Sequence, residues 1–152
     1  FWGFEANLLS RFACGVSARL SYAYTYESAD RGKVLISTMR PHSATLKIEY
    51  DKFVSNNYSF GVSLSGRYLS KVTTNEFLYT TINKVVERKC PGYSMWRLAM
   101  NNRLFNGINL SISIDNLFDY VPDYYYNNSP TTVGRTFSVG VSIDMERLFG
   151  NK

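Results

Sequence analysis

Two segments near the end of the chain decide the fold. Residues 112–120 read Ile-Ser-Ile-Asp-Asn-Leu-Phe-Asp-Tyr, and residues 134–144 read Gly-Arg-Thr-Phe-Ser-Val-Gly-Val-Ser-Ile-Asp. In both, apolar residues alternate with small polar residues. A period of two puts these two sets on opposite faces of a β-strand. The residues between are rich in Pro, Tyr and Asn. The pattern therefore predicts two antiparallel strands joined by an elaborate loop.

The composition is that of a folded chain with many aromatic rings. Of 152 residues, 45% are hydrophobic, 19% are charged and 16% are aromatic. This balance argues against disorder. Aromatic content at this level is usual where rings lie at a bilayer interface. No run approaches the ~18 apolar residues of a membrane helix, so the sequence does not predict a helical membrane protein.

Charge and chemistry narrow the function classes. The net charge is +5, but Lys and Arg are scattered, whereas a nucleic-acid-binding protein clusters them. Cys14 and Cys90 have no metal or redox spacing, and the predicted topology puts them at opposite ends of the strands, too far apart to pair. There is one His, and we find no nucleophile–base pair, metal cluster or phosphate loop. The sequence predicts neither an enzyme nor a cofactor.

Period-two alternation recurs along the chain and predicts seven strands. They lie at about residues 2–12, 16–27, 44–50, 58–68, 96–103, 108–115 and 136–143. Residues 51–57 are predicted to be a turn. Residues 76–88 have the pattern of a β-ribbon that pairs through Phe77, Tyr79 and Ile82.

The connections between these strands alternate between short and long. Short ones are Ala13-Cys14-Gly15 and Phe105-Asn106-Gly107, and long ones cover residues 28–40, 72–92 and 117–134. Outer-membrane barrels have short periplasmic turns and long extracellular loops. A tilted membrane strand needs ~9–11 residues, which fits. The prediction is an all-β, antiparallel, up-and-down transmembrane β-barrel segment.

The two faces of the predicted strands differ sharply. A charge facing lipid at mid-depth costs a few kcal/mol, so the charged face should line a wet or plugged lumen. The residues expected to face the lumen are Arg11, Arg19, Lys47, Glu49, Arg67, Arg97 and Arg103. Those expected to face lipid include Phe60, Val62, Leu64, Val139 and Val141. Two aromatic girdles are expected from Phe12, Tyr24, Tyr26, Tyr50, Tyr68 and Phe105.

The odd number of strands is informative. Bacterial single-chain barrels have an even number, and an open sheet edge cannot lie in hydrocarbon because its backbone groups would be unpaired. We therefore expect residues 1–152 to be the C-terminal portion of a larger barrel.

The last hairpin also resembles a known family, the TonB-dependent outer-membrane receptors. In that family an Asn-Leu-Phe-Asp element leaves the penultimate strand, and a Gly-Arg-x-Phe element opens the last one. Arg40-Pro41-His42 is similar to a sequence that opens an earlier strand. The matching residues are Arg40, Pro41, His42, Asn116, Leu117, Phe118, Asp119, Gly134, Arg135 and Phe137. One departure is that Phe149 is followed by Gly150-Asn151-Lys152, whereas family members commonly end on an aromatic residue.

The resemblance implies a 22-stranded barrel in the outer membrane of a Gram-negative cell, with an N-terminal plug domain that is absent from this chain. It implies a transport receptor for a scarce nutrient of the ferric siderophore, haem, cobalamin or glycan type. Energy would come from the TonB–ExbB–ExbD complex of the inner membrane. Further implied partners are the nutrient, the outer-membrane lipid, the barrel-assembly machinery and the rest of the barrel, but no nucleic acid.

Several alternatives stay open. A loop cluster is either a platform for an extracellular ligand or packing against the barrel rim; it consists of Tyr124, Tyr125, Tyr126, Asn127 and Asn128. His42 either contacts haem iron or is structural, and Asn116 and Asp119 are expected to fix a loop. At the level of function, a passive porin-like or structural barrel without a plug and a soluble ligand-binding β-barrel are the rivals.

Overall fold

The structure, a computed structural model, describes six parts of the chain: residues 1–27, 39–78, 84–104, 107–122, 130 and 132–146. Within them the chain forms nine strands: β1 (Trp2–Arg11), β2 (Val16–Tyr26), β3 (His42–Ser55), β4 (Tyr58–Leu69), β5 (Val72–Leu78), β6 (Lys84–Cys90), β7 (Tyr93–Leu104), β8 (Ile108–Asp115) and β9 (Thr136–Ile143). Among these residues, no helix has both the length and the apolar character needed to cross a bilayer.

Seven of the strands form one antiparallel sheet in the order β1-β2-β3-β4-β7-β8-β9, and β5 pairs with β6 in a separate ribbon. All seven predicted strands are present, so the all-β antiparallel prediction is confirmed. The ribbon prediction is also confirmed, and the ribbon is longer than expected, running from Val72 opposite Cys90 to Leu78 opposite Lys84. Tyr79 and Ile82 lie outside the described residues. The large sheet is open, because β1 and β9 form its two edges and do not pair with each other.

Strand β4 shows why this sequence forms a sheet with two different faces. Val62 lies opposite Tyr50 of β3 and Met100 of β7. All three are apolar and lie on the same face, and Ser63 points to the other. A register slip of one residue would exchange the two faces, so the alternation holds each strand in its register.

The registers gather the apolar residues of the large sheet on one side, which we call the apolar face. Its members include Phe4, Leu8, Leu20, Leu46, Ile48, Phe60, Val62, Leu64, Leu98, Met100, Ile112, Ile114, Phe137, Val139 and Val141. Leu8 is 63% exposed and Val139 is 71% exposed. In the described part of the chain, the buried hydrophobic side chains are Val72 and Cys90, which belong to the ribbon. The apolar face therefore has no second layer packed on it within these residues.

The opposite side, the polar face, carries most of the charged residues; Lys52, near the short-turn end of β3, lies opposite Phe60 on the apolar face. The charged members of the polar face include Glu5, Arg11, Arg19, Lys47, Glu49, Arg67, Arg97, Arg103 and Asp115. Three concave regions are lined mainly by residues of this face. These regions are open grooves between the side chains of the polar face.

The short and long connections lie at opposite ends of the sheet, as predicted from their alternation. One end holds the β1–β2, β3–β4 and β7–β8 turns, and the other, the rim, holds the β2–β3, β4–β7 and β8–β9 connections. Gly15 has a φ of 90° and Gly107 a φ of 109°, which explains glycine in the two outer turns. Cys14 is exposed at the short-turn end, and Cys90 is buried near the rim; the two do not form a disulfide, as predicted.

The predicted turn at residues 51–57 is wrong for its first five residues. Strand β3 continues to Ser55, with a bulge between Phe53 and Ser55, and only residues 56–57 turn. The reason is a cross-strand fit, because Asp51 lies opposite Gly61. A Cβ on Gly61 would lie 2.3 Å from Asp51 Oδ1, so the glycine leaves space for this carboxylate inside the sheet.

Of the predicted girdle residues, Phe12 lies in the β1–β2 turn, and Phe105 lies outside the described residues. Tyr24, Tyr26 and Tyr68 lie on the apolar face toward the rim, and Tyr50 lies on that face toward the short-turn end.

Gly66 is expected to be intolerant of a side chain. It lies opposite Trp96, and a Cβ would come within 2.4 Å of the indole ring. The ring also contacts Phe118 edge-on at 6.1 Å. Gly66→Ala should displace the ring and lower the free energy of unfolding by about 1–3 kcal/mol, measured by thermal unfolding. Ser65→Ala, on the polar face, is the control with little expected change. An unaltered midpoint for Gly66→Ala would contradict this packing.

Candidate functional site

The polar face contains a groove of about 760 Å³ that opens toward the rim. Its charged side chains come from five neighbouring strands. In register, Arg19 of β2 lies opposite Lys47 of β3, and Arg97 of β7 lies opposite Asp115 of β8. Ser65 of β4 lies between Lys47 and Arg97, so one row crosses the sheet. The charged residues that line the groove are Arg19, Lys47, Arg67, Arg97 and Asp115.

Two of the four cations in the groove have carboxylate neighbours. Lys47 Nζ lies 2.7 Å from Glu49 Oε1, and Arg97 Nη1 lies 3.4 Å from Asp115 Oδ1. Both pairs are exposed, so each contributes about 0–1 kcal/mol. Within the described residues, no acidic side chain is at ion-pair distance from Arg19 or Arg67. The groove therefore carries an excess of positive charge.

Asn116 closes the start of the β8–β9 connection. It is 5% exposed and has a φ of 53°, a left-handed conformation that Asn adopts more readily than most residues. Its Nδ2 donates to Tyr120 O at 2.7 Å and to Thr132 Oγ1 at 3.3 Å, and its Oδ1 accepts from Tyr120 N at 2.9 Å. The prediction that Asn116 fixes the loop is confirmed.

Asp119 joins the two ends of the same connection. Its Oδ1 accepts a hydrogen bond of 2.7 Å from the backbone N–H of Arg135, and its own φ is 56°. Gly134 has a φ of 103°, and a Cβ there would lie 3.0 Å from Asp119 Oδ1. The Asn-Leu-Phe-Asp and Gly-Arg-x-Phe elements thus meet directly. The backbone N–H of Leu117 also donates to Trp96 O at 2.8 Å, which fastens the loop to β7.

Arg40 joins all three long connections at the rim. It is 8% exposed, and its Nη1 donates to Ser70 O and, at 2.7 Å, to Pro91 O, one carbonyl at each foot of the ribbon. Its guanidinium carbon lies 4.9 Å from the centre of the Tyr93 ring, and Tyr93 stacks on Tyr120 at 5.7 Å with an interplanar angle of 12°. Arg40 therefore positions the ribbon relative to the sheet.

His42 makes the contacts of a residue that starts a strand. Its Nδ1 is 2.6 Å from Tyr22 Oη, and its ring lies 4.9 Å from that of Tyr24. Its backbone N–H donates to Ser70 Oγ at 3.0 Å, and its carbonyl accepts from Ser70 N at 2.9 Å. Pro41 O accepts from Thr25 N at 2.8 Å, so both residues tie β3 to its neighbours.

Aromatic rings gather at both ends of the apolar face. Near the rim, rings of β1 and β2 contact each other at 5.5–5.9 Å between centroids; they are Trp2, Phe4, Tyr22, Tyr24 and Tyr26. Toward the short-turn end, Phe60 contacts Tyr50 at 5.9 Å and Tyr58 at 6.2 Å. The Tyr58 hydroxyl donates to the buried Asn102 Oδ1 at 3.4 Å.

The predicted ligand platform lies outside the described residues; it consists of Tyr124, Tyr125, Tyr126, Asn127 and Asn128. Sequence reasoning missed Ser70, Pro91, Tyr93 and Thr132. Ser70 and Pro91 act on Arg40 through backbone carbonyls, which carry no sequence signal. Thr132 lies in a loop whose closure depends on Asn116, sixteen positions earlier.

No group of three or more His, Cys, Asp or Glu side chains within the described parts is placed to hold a metal ion. No family model, curated protein or solved structure matches this chain.

Asn116 offers a direct test of the loop closure. Asn116→Ala removes three hydrogen bonds and puts a residue that disfavours positive φ at a φ of 53°. It should reduce the free energy of unfolding by about 2–4 kcal/mol. Asn116→Gly also loses the hydrogen bonds but tolerates this φ, so it should be less destabilised by about 1 kcal/mol. Equal unfolding midpoints for wild type and Asn116→Ala in thermal denaturation would refute the closure.

Proposed function

We propose that this sheet is part of the wall of an outer-membrane β-barrel, with its apolar face toward lipid and its polar face toward the lumen. The observation that carries the proposal is the apolar face itself, which spans seven strands and has no packed layer over it in the described residues. Soluble monomers rarely expose a contiguous apolar patch of more than a few hundred Å². Lipid covers such a face without any second layer of protein.

The polar face supports the same orientation. It carries cations such as Arg19 and Lys47 in the interior of strands, and a cation at the bilayer midplane costs about 2–4 kcal/mol when it faces lipid. Its open grooves, lined largely by polar side chains, suit the inside of a barrel. Lumen water, or a polar plug, leaves these charges solvated or paired.

The spacing of the aromatic bands also fits a membrane. On β3, His42 lies opposite Tyr24 in the aromatic band near the rim. Tyr50, eight residues later, lies in the aromatic band toward the short-turn end. Eight residues span about 26 Å along a strand at ~3.3 Å per residue. At a tilt near ~40° this is about 20 Å along the membrane normal, close to the ~25 Å apolar band of outer-membrane barrels.

The strand directions limit how the barrel closes. Because the sheet has seven antiparallel strands, its edge strands β1 and β9 run in the same direction. Closing the sheet on itself, or joining β9 of one copy to β1 of the next, would require a parallel pair. An odd number of additional strands keeps every pair antiparallel, and fifteen more complete the proposed 22-stranded barrel. Both edges then pair with strands outside this sequence.

Within this class we propose a TonB-dependent receptor that takes up a scarce nutrient. The resemblance rests on two sequence elements, and support comes from their contact, because Asp119 of the first accepts a hydrogen bond from Arg135 of the second. The two elements, which lie at the two ends of the β8–β9 connection, are thus held together at the rim. In this proposal the nutrient is a ferric siderophore, haem, cobalamin or glycan, a plug domain closes the lumen, and the TonB–ExbB–ExbD complex supplies energy.

The second candidate is a passive porin-like or structural barrel. The same sheet serves it equally well, and the cationic groove of the polar face favours it as a lining for an open channel. The two candidates differ in their need for energy.

Growth under nutrient limitation distinguishes them. Deleting the gene that encodes this chain should abolish growth on one limiting source among ferric siderophores, haem, cobalamin and glycans, and growth should return on a small source that diffuses through general porins. Deleting the TonB–ExbB–ExbD complex should reproduce the defect. Unchanged growth on every source would count against nutrient uptake. A growth defect that deletion of the TonB–ExbB–ExbD complex does not reproduce would assign the protein to the passive class.

A further inference from the structure

The cationic groove on the polar face contains two arginines that the other side chains leave available. Among the described residues, Lys47 and Arg97 have carboxylate neighbours and Arg19 and Arg67 do not. Arg19 lies on β2 and Arg67 on β4, with β3 between them and an offset of two residues. Strand spacing and rise put their Cα atoms about 12 Å apart. One small ligand between them is within reach of both guanidinium groups.

The lining of the groove is mixed rather than purely charged. Met95 lies directly opposite Arg67, and Val133, at the rim, is 91% exposed. The volume of about 760 Å³ falls in the ~300–1,000 Å³ range of small-molecule sites. A ligand that fits this lining combines anionic groups with an apolar body.

The groove also opens at the end where the long connections lie. Asn116, Thr132 and Gly134, all residues of the closed β8–β9 connection, contribute to its lining. A solute that enters at the rim therefore has a short path to the groove. This position favours a small solute over an acidic polypeptide segment as the occupant.

We propose that the groove binds a small organic polycarboxylate with an apolar or aromatic body, held by Arg19 and Arg67. The planar guanidinium fork binds a carboxylate through two parallel hydrogen bonds, which a lysine does not. Lys47 and Arg97 add to the positive potential of the groove, although the neighbouring carboxylates of Glu49 and Asp115 reduce their contribution. The proposal rests on the proposed function in one respect, since the polar face must line the lumen for a solute to reach it.

The test uses the full protein that contains this chain, purified in detergent micelles, with isothermal titration calorimetry as the readout. The probes are trimesate, a benzene ring with three carboxylates, and its neutral analogue with three hydroxymethyl groups. Trimesate should bind and the neutral analogue should not. Arg19→Gln and Arg67→Gln should each weaken trimesate binding about tenfold, while Arg11→Gln, an exposed arginine of the same face outside the groove, should leave it unchanged. Added salt should weaken the binding.

Three results would overturn the proposal: equal binding of both probes, trimesate binding that Arg19→Gln and Arg67→Gln leave intact, or no trimesate binding at all. If the last came with lower thermal stability of the two variants, the groove would belong to an acidic segment of the protein itself. These outcomes are separate from the growth experiment, because calorimetry in micelles reports charge discrimination whether or not the cell uses the protein for nutrient uptake.

Discussion

Backbone hydrogen bonding between neighbouring strands is the interaction on which this structure depends. Within the described residues the large sheet has almost no buried apolar core. Its stability must therefore come from the backbone hydrogen bonds that cross the sheet from β1 to β9 and from whatever covers the apolar face. Backbone N–H and C=O groups removed from water need partners, and in a bilayer only a neighbouring strand supplies them. The registers that satisfy the backbone also separate the apolar from the charged side chains.

Strand pairing does not fix the long connections at the rim. Side chains that hydrogen-bond to backbone groups hold these connections in place. Arg40 donates to carbonyls at both feet of the ribbon, and Asn116 and Asp119 close the β8–β9 connection. These contacts hold long connections in place without a hydrophobic core beneath them. They also shape the mouth of the cationic groove, because Asn116 and Gly134 line it. The rim thus links the architecture of the sheet to the proposed recognition of a solute.

Much of the fold was predictable because strand geometry alone determines a period of two. That period identified the seven strands and the two faces, and connection length identified the two ends. The turn predicted at residues 51–57 was wrong because Asp and Asn favour turns locally, whereas the fit of Asp51 over Gly61 arises only between strands. The Arg40 contacts were not predictable either, since they need three distant connections to converge. Loop closure by Asn116 and Asp119 was predictable from residue type, but their positive φ values were not.

The central claim is that the apolar face meets lipid, and nitroxide scanning along β4 tests it most directly. Single cysteines at residues 60–65, each carrying a spin label, would be compared in bilayers for collision with oxygen and with a water-soluble nickel complex. Labels at Val62 and Leu64 should collide mainly with oxygen, which concentrates in lipid, and labels at Ser63 and Ser65 mainly with nickel. A loss of this alternation, or labels at Val62 and Leu64 shielded from both reagents as in a protein core, would contradict the claim.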